Sequence, residues 1–210
     1  MNERGRTDTD AASRRSLFAA IAAPVARLST TRANGRAGLV ADSGVSLCML
    51  GAGLWRDDLR VAFALATIAG GLLLFSLVEY CVHRFVFHGA PGLMEAGHRK
   101  HHEDPQGYDA LPFFLPPLGM LGLALLLTEF MPTSVALLLA GSLAAGYAAY
   151  GLGHTAIHFV RFRLSPLKRW SAAHHIHHYH PDRNFGVTTP LWDILLGTRY
   201  VSKGAQNAQQ

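Results

Sequence analysis

Twelve histidines carry the chemistry open to this chain, and all of them lie between residues 83 and 180. They come in groups. His83 and His88 bracket HRFVFH, and His98, His101 and His102 sit in HRKHH. His154 and His158 bracket HTAIH. His174, His177 and His178 belong to HHIHHYH, which also holds His175 and His180. Five imidazoles in seven residues are a poor packing solution, because protonating more than one costs like-charge repulsion. A metal ion can stand in for those protons, and neutral imidazole is the commonest protein metal ligand.

Spacing says how the rings could converge. Positions i, i+3 and i+4 share one helical face, so His98, His101 and His102 can meet, as can His174, His177 and His178. His154 and His158 form the i, i+4 pair by which one helix offers two imidazoles to one ion. His83 and His88 do not fit this rule. Five residues of regular helix turn a side chain by about 140°, so either the helix ends near Gly89 and His88 swings, or the two rings serve different metals. A lone pair of this kind is common on solvated helix faces; four groups together are not. Ten histidines fall in pattern, too many for one ion and suited to two. His175 and His180 fall off the shared face and are expected to be outer or solvated residues. Nearby carboxylates, among them Glu79, Asp104 and Asp182, are expected to orient ring N–H groups, the usual role of such neighbours.

The elements that place these rings are apolar. Half of the 210 residues are hydrophobic and 16% are charged, against about 25% charged in a typical soluble domain. The apolar residues come in long runs over 39–55, 61–79, 111–130 and 133–153. The expected fold is therefore all-α and integral to a membrane, with about four transmembrane helices and a histidine-rich helical cap. The first run is the weakest, because Asp42 interrupts it. The second leads unbroken into Glu79, Tyr80 and His83, so His83 should ride on a helical extension. Residues 1–38 form a basic arm expected to be disordered, 39–200 the membrane domain, and 201–210 a disordered tail. An Arg-rich, Ser-containing start is also compatible with a targeting segment. Cys48 and Cys81 have no CxxC spacing and read as buried, reduced thiols.

Lysine and arginine set the expected orientation. With four spans and both termini inside, seventeen fall on the inner side and only Arg56 and Arg60 on the outer. That bias predicts cytoplasmic termini and a cytoplasmic histidine site. The net charge of +5 carries no basic patch interleaved with aromatics, so no nucleic-acid partner is expected.

In order and spacing, HRFVFH, HRKHH, HTAIH and HHIHH resemble the fatty acid hydroxylase/sterol desaturase superfamily of membrane di-metal oxygenases. So do the stretch Asn184 to Asp193 (NFGVTTPLWD) and Leu196-Gly197-Thr198 after it, while Glu79-Tyr80 before His83 is similar to the fatty acid 2-hydroxylase branch. The resemblance covers roughly residues 61–200. It implies His83, His88, His98, His101, His102, His154, His158, His174, His177 and His178 as metal ligands, with two iron ions and O2 as oxidant; because nitrogen-ligand sites also take zinc well, zinc is an expected occupant in purified protein. It implies hydroxylation of an unactivated C–H bond in a lipid, a fatty acyl or sphingolipid chain foremost. Sterol or carotenoid hydroxylation or desaturation, and metal binding without catalysis, are the alternatives. Relatives often carry a fused cytochrome b5 domain, which this stretch lacks, so a separate donor of cytochrome b5 or ferredoxin type is the expected electron source. Phe113, Phe114, Leu115, Phe185 and Trp192 are candidates to line an acyl groove.

Overall fold

The computed structural model describes residues 24–56, 58–89, 91–108 and 110–202. The ends of the expected arm and tail, 1–23 and 203–210, lie outside the described residues. Every regular element is helical, and no strand occurs among the described residues. After a short helical stretch over residues 24–29 they are, in chain order, α1 (Arg32–Trp55), α2 (Val61–Cys81), a π-helical continuation (Val82–Phe87), α3 (Leu93–Glu103), α4 (Leu115–Leu127), α5 (Thr133–Phe159), α6 (Ser165–Tyr179) and α7 (Leu191–Leu195).

Three helical stretches are long and apolar enough to cross a membrane: Arg32–Trp55, Val61–Phe87 and Thr133–Phe159. The chain is a membrane protein built around them. The expected fourth span is shorter than its apolar run. α4 starts only after Pro112, with Pro116 and Pro117 in its first turn, where proline is tolerated; it has 13 residues and reaches about 20 Å against a hydrocarbon core of about 30 Å. It still joins the two ends of the bundle. The turn that follows it meets the α1–α2 turn, where Ser134 Oγ donates to Asp58 Oδ2 at 2.8 Å.

The first span is longer than its sequence suggested. Residues 32–38, assigned to the arm, are helical, because Thr31 caps the helix by accepting from the Asn34 N–H. Asn34 then pins the incoming loop: its amide donates to the Leu111 carbonyl at 3.0 Å and its side-chain oxygen accepts from the Phe113 N–H at 2.9 Å. Asp42 does not break α1, because it turns inward and is only 8% exposed.

Small residues bring the spans together. α5 packs against α1, α2 and α4, and apart from Leu138 and Ile157 its buried residues are all small: Ser134, Ala136, Ala140, Gly141, Ser142, Ala144, Gly146 and Ala148. A Cβ on Gly71 of α2 would stand 2.6 Å from Ser142 Cβ, so the two backbones touch where a side chain would hold them apart. Ser46 Oγ donates to the Gly141 carbonyl at 3.2 Å, a polar tie between α1 and α5. Cys48 is exposed on α1, not buried, and both cysteines are free. These contacts hold α2 and α5 in register, so their histidine-bearing ends finish side by side.

Candidate metal centre

Each ring is delivered by a helix end. α2 would carry His83 and His88 to different sides if it stayed regular. It does not: the segment from Val82 to Phe87 winds as a π-helix. Hydrogen bonding from i to i+5 stacks residues five apart on one face, so the two rings lie together, with centroids 5.2 Å apart. Of the two expected alternatives, the helix does end near Gly89, at Phe87 with His88 as its C-cap, and the two rings join one group instead of serving different metals.

The nitrogens converge in two groups. His83, His88, His98, His102 and His177 form the first, and His101, His158, His174 and His178 the second, with one donor atom per residue and all donors of a group within 4.8 Å of one another. The expectation that each HxxHH triplet meets at one point is corrected here. His98 and His102 enter the first group and His101 the second, while His177 enters the first and His174 and His178 the second. Residues i and i+4 stay together, and the i+3 residue is turned far enough to serve the neighbouring site. His154 is beside the second group, its ring 4.5 Å from His101 and 4.7 Å from His174, but it is not among the four converging donors.

These residues fit metal ions. Within the groups, facing Nε2 atoms approach to between 2.9 and 3.1 Å. At a metal–nitrogen distance of about 2.1 Å, ligands at right angles stand about 3.0 Å apart and tetrahedral ones about 3.4 Å. The tautomers also agree. His83 Nδ1 is 2.5 Å from the Phe185 carbonyl and His177 Nδ1 is 2.7 Å from that of Arg183. A carbonyl only accepts, so both Nδ1 atoms carry the proton and both Nε2 atoms turn a lone pair inward. Lone pairs facing lone pairs repel unless a cation lies between them. In the second group His101 Nε2 is buried with no hydrogen-bond partner.

Burial and mutual repulsion keep the rings neutral. Burial, with His158, His102 and His177, pushes His101 down to about 3. His177 is also pushed down to about 3, by burial first and then by His102 and His88, against the opposing pull of the Arg183 carbonyl. His88 falls to about 4 through burial and His102. Burial is the largest cause for His98, His102, His174 and His178 as well, all lowered from 6.5. Folded rings therefore stay neutral where unfolded ones take up protons. Their contribution to stability is complete above the ordinary value of 6.5 and is lost as pH falls towards 4 and 3. Metal-free protein in detergent is expected to show a thermal midpoint that is flat above about pH 7.5 and falls steadily below about 6.5, a curve that a pH series of melts checks.

The carboxylates do other work than expected. Glu79 is 7% exposed, and its hydrogen bonds among the described residues go to the segment after α6 and not to an imidazole. It accepts from the Val187 N–H at 2.6 Å, the Thr188 N–H at 3.0 Å and the Thr188 hydroxyl. Asp182 pairs with Arg183 at 3.3 Å, and Asp104 Oδ2 packs against Gly107. Backbone carbonyls take the role expected of acids, and the segment that carries them is held by Glu79 and by Asp193. His175 is exposed, with its ring 5.7 Å from His158, and His180 stacks on Tyr200. Phe185 is 4% exposed and turns its ring towards His83, His88 and His177 at 5.8–5.9 Å, so it packs the centre instead of lining a groove. Trp192 donates to Ser76 Oγ at 3.0 Å; Phe113, Phe114 and Leu115 are exposed.

Sequence reasoning missed Asp193, which accepts from the Phe185 and Gly186 N–H groups, both at 2.8 Å, and from the Thr198 hydroxyl at 2.7 Å. Its position inside the apolar PLWDIL segment was the available signal. Also missed was the chain from Arg84 to the Tyr80 hydroxyl to Thr198, with contacts of 2.8 and 3.0 Å, which ties α2 to the same segment.

The chain is similar to known proteins in sequence and in fold. The chain is 30% identical to a dihydroceramide fatty acyl 2-hydroxylase of Arabidopsis thaliana over 142 residues, 62% of this chain and 59% of that one. It is 32% identical to the fatty acid 2-hydroxylase of Homo sapiens over 143 residues, 61% of this chain and 38% of that one. It thus spans between about two fifths and three fifths of the length of these relatives. Among solved structures, full-length scs7p, in which only the hydroxylase domain is visible, aligns with a TM-score of 0.68 and 26% identity over 83% of this chain and 69% of that one. The family model described as fatty acid hydroxylase matches residues 68–198, from the middle of α2 to Thr198, a stretch that takes in every histidine. On that match, the chain belongs to the fatty acid hydroxylase family.

Proposed function

We propose that this protein is a membrane-bound, di-iron lipid hydroxylase that inserts one atom of O2 into a C–H bond of a fatty acyl chain, at carbon 2. The observation that carries this reading is the convergence of nine histidine nitrogens in two adjacent groups at one end of an apolar helix bundle. The names of its relatives, fatty acid 2-hydroxylases and ceramide hydroxylases, supply the substrate class and the position. Five donors in one group and right-angle spacing favour iron over the four-coordinate tetrahedron of structural zinc. Zinc binds nitrogen sites well and would compete during purification.

His83, His88, His98, His102 and His177 would hold one metal, and His101, His158, His174 and His178 the other, with His154 beside the second as its remaining expected ligand. Bound iron would supply O2 reduction and an oxidant strong enough for an unactivated C–H bond. The balance requires two electrons and two protons from outside: one oxygen atom becomes the lipid hydroxyl, the other becomes water. The chain's own residues contribute in three ways. Neutral imidazoles leave the metal charge uncompensated, which keeps the centre electrophilic. The Phe185 and Arg183 carbonyls hold two rings in the tautomer that binds. Phe185 and Tyr80, packed edge to face at 5.9 Å, keep water from the first group.

The lysine and arginine bias supports a cytoplasmic centre. Arg99, Lys100, Arg161, Arg163, Lys168 and Arg169 are exposed around it, a charge pattern suited to an acidic, soluble electron donor of cytochrome b5 or ferredoxin type. Beside α5 a cavity of about 150 Å³ is lined by Ala149, Tyr150, Gly153, Trp170, Val187 and Thr188. The Tyr150 ring stacks 5.6 Å from His154, so this cavity offers an acyl chain a route towards the rings. A larger cavity of about 390 Å³ opens among α1, α4 and α5, with no histidine in its lining.

Expression in cells with a diverse lipid pool is expected to yield acyl chains carrying one added hydroxyl, absent with His174→Ala. An unchanged lipid profile from protein that retains its metals would refute the reading in favour of metal binding without catalysis.

A further inference from the structure

The two groups of histidines are not supported alike. In the first, His83 and His177 each donate their Nδ1 proton to a backbone carbonyl. In the second, His174 Nδ1 and His178 Nδ1 are buried with no hydrogen-bond partner. The two carbonyls belong to residues 183 and 185, two positions apart on the segment that follows α6. This segment is tightly fixed. The Asn184 N–H donates to the Thr198 carbonyl at 3.0 Å and its side-chain amide to that of Ala173 at 3.0 Å, with Asn184 in the left-handed region at φ 54°. The next residues close around Asp193, which is 1% exposed.

One peptide unit matters most. Its carbonyl, from Phe185, accepts from His83 Nδ1; its N–H, from Gly186, donates to Asp193 Oδ2. A carboxylate hydrogen-bonded to a ligating histidine fixes its ring and raises its basicity. Here a peptide stands between the two. Negative charge at the N–H end polarises the amide and strengthens its carbonyl as an acceptor, because linked hydrogen bonds reinforce one another in a dry interior. Asp193 Oδ1 meanwhile fixes the preceding peptide through the Phe185 N–H. A Cβ on Gly186 would stand 2.1 Å from the Thr189 carbonyl oxygen and 3.0 Å from Asp193 Oδ2, so this close fold of the segment depends on glycine.

We propose that Asp193 is a positioning residue for the first metal alone, acting on His83 through the peptide between Phe185 and Gly186. This rests on the two-metal reading above. Its consequence is an unequal pair: the first group grips its metal, and the second, whose buried Nδ1 atoms lack partners, releases it more readily.

The test is metal release from the zinc-loaded full chain in detergent, followed with a chromogenic chelator. Wild-type protein should give two equivalents in two phases. His83→Ala should remove the slow phase and His178→Ala the fast one, which assigns them. Asp193→Asn, which keeps the shape and removes the charge, should accelerate the slow phase by about 10- to 100-fold and leave the fast phase unchanged. Thr198→Val removes only one donor to Asp193 and should shift the slow phase in the same direction by less; it becomes the deciding variant if Asp193→Asn does not purify as folded protein. Acceleration of both phases together would reduce Asp193 to a general structural role and overturn the proposal, as would an unchanged slow phase or a slow phase that maps to His178. Wild-type protein holding fewer than two equivalents would instead overturn the two-metal reading, and this proposal with it.

Discussion

Replacing His101 and His102 by alanine, one at a time, is expected to cost the protein different metals. The two residues are adjacent on α3, yet His102 converges with His83, His88, His98 and His177, and His101 with His158, His174 and His178. Each variant should retain about one equivalent of metal. His102→Ala should keep the equivalent that His178→Ala loses, and His101→Ala the equivalent that His177→Ala loses. Hydroxylation should fall at least about 100-fold in all four, since losing a group that merely supports a ligand already costs 10- to 100-fold. Metal analysis of the double variants separates the outcomes. His102→Ala with His177→Ala should still hold one metal, and His102→Ala with His101→Ala none. If the pairs sort by helix, so that His101 and His102 act on one site, the division into two mixed groups is wrong.

The second large effect concerns the π-helical segment. Inserting one alanine after Val86 makes the spacing between the two histidines six, which neither α- nor π-winding places on one face. The first group should lose His88, and with it most metal affinity and activity, again by about 100-fold or more. Deleting Val86 makes the spacing four. The segment can then wind as a regular α-helix and still present both rings to one point, so the deletion should retain more metal and more activity than the insertion. Equal loss from both would mean that the winding itself, and not the pairing of the rings, is what the site requires.

This contrast also marks what the sequence could reveal. The i, i+3, i+4 spacings of HRKHH and HHIHH placed their rings near one another, and the long apolar runs placed them at one end of a helix bundle, because both signals are local. The assignment of individual rings was not legible. Spacing cannot say whether three neighbouring rings share one ion or divide between two; that depends on how α3 and α6 are rotated against the ends of α2 and α5. The π-winding was hidden for a related reason. Nothing in HRFVFH forbids a regular helix, and the structure that requires both rings on one side is the rest of the cluster. Glu79 and Asp193 were misread or missed because their partners are backbone N–H groups 108 and 8 residues away, and such groups leave no mark on composition. The start of α1 was blurred by charge: Arg32 and Arg36 read as part of a polar arm, while Arg32 is in fact folded against the chain, its Nε donating to the Tyr108 hydroxyl at 2.8 Å.

The central claim is that this pair of histidine groups hydroxylates a fatty acyl chain. Its most direct test is turnover of the iron-loaded protein with an acyl lipid, a reducing donor and heavy-isotope O2, followed by mass spectrometry of the product. The expected product carries one heavy oxygen atom as a hydroxyl at carbon 2, and forms neither without reductant nor with His174→Ala. An unlabelled hydroxyl, a double bond in place of a hydroxyl, or no product from protein that retains both metals would contradict it.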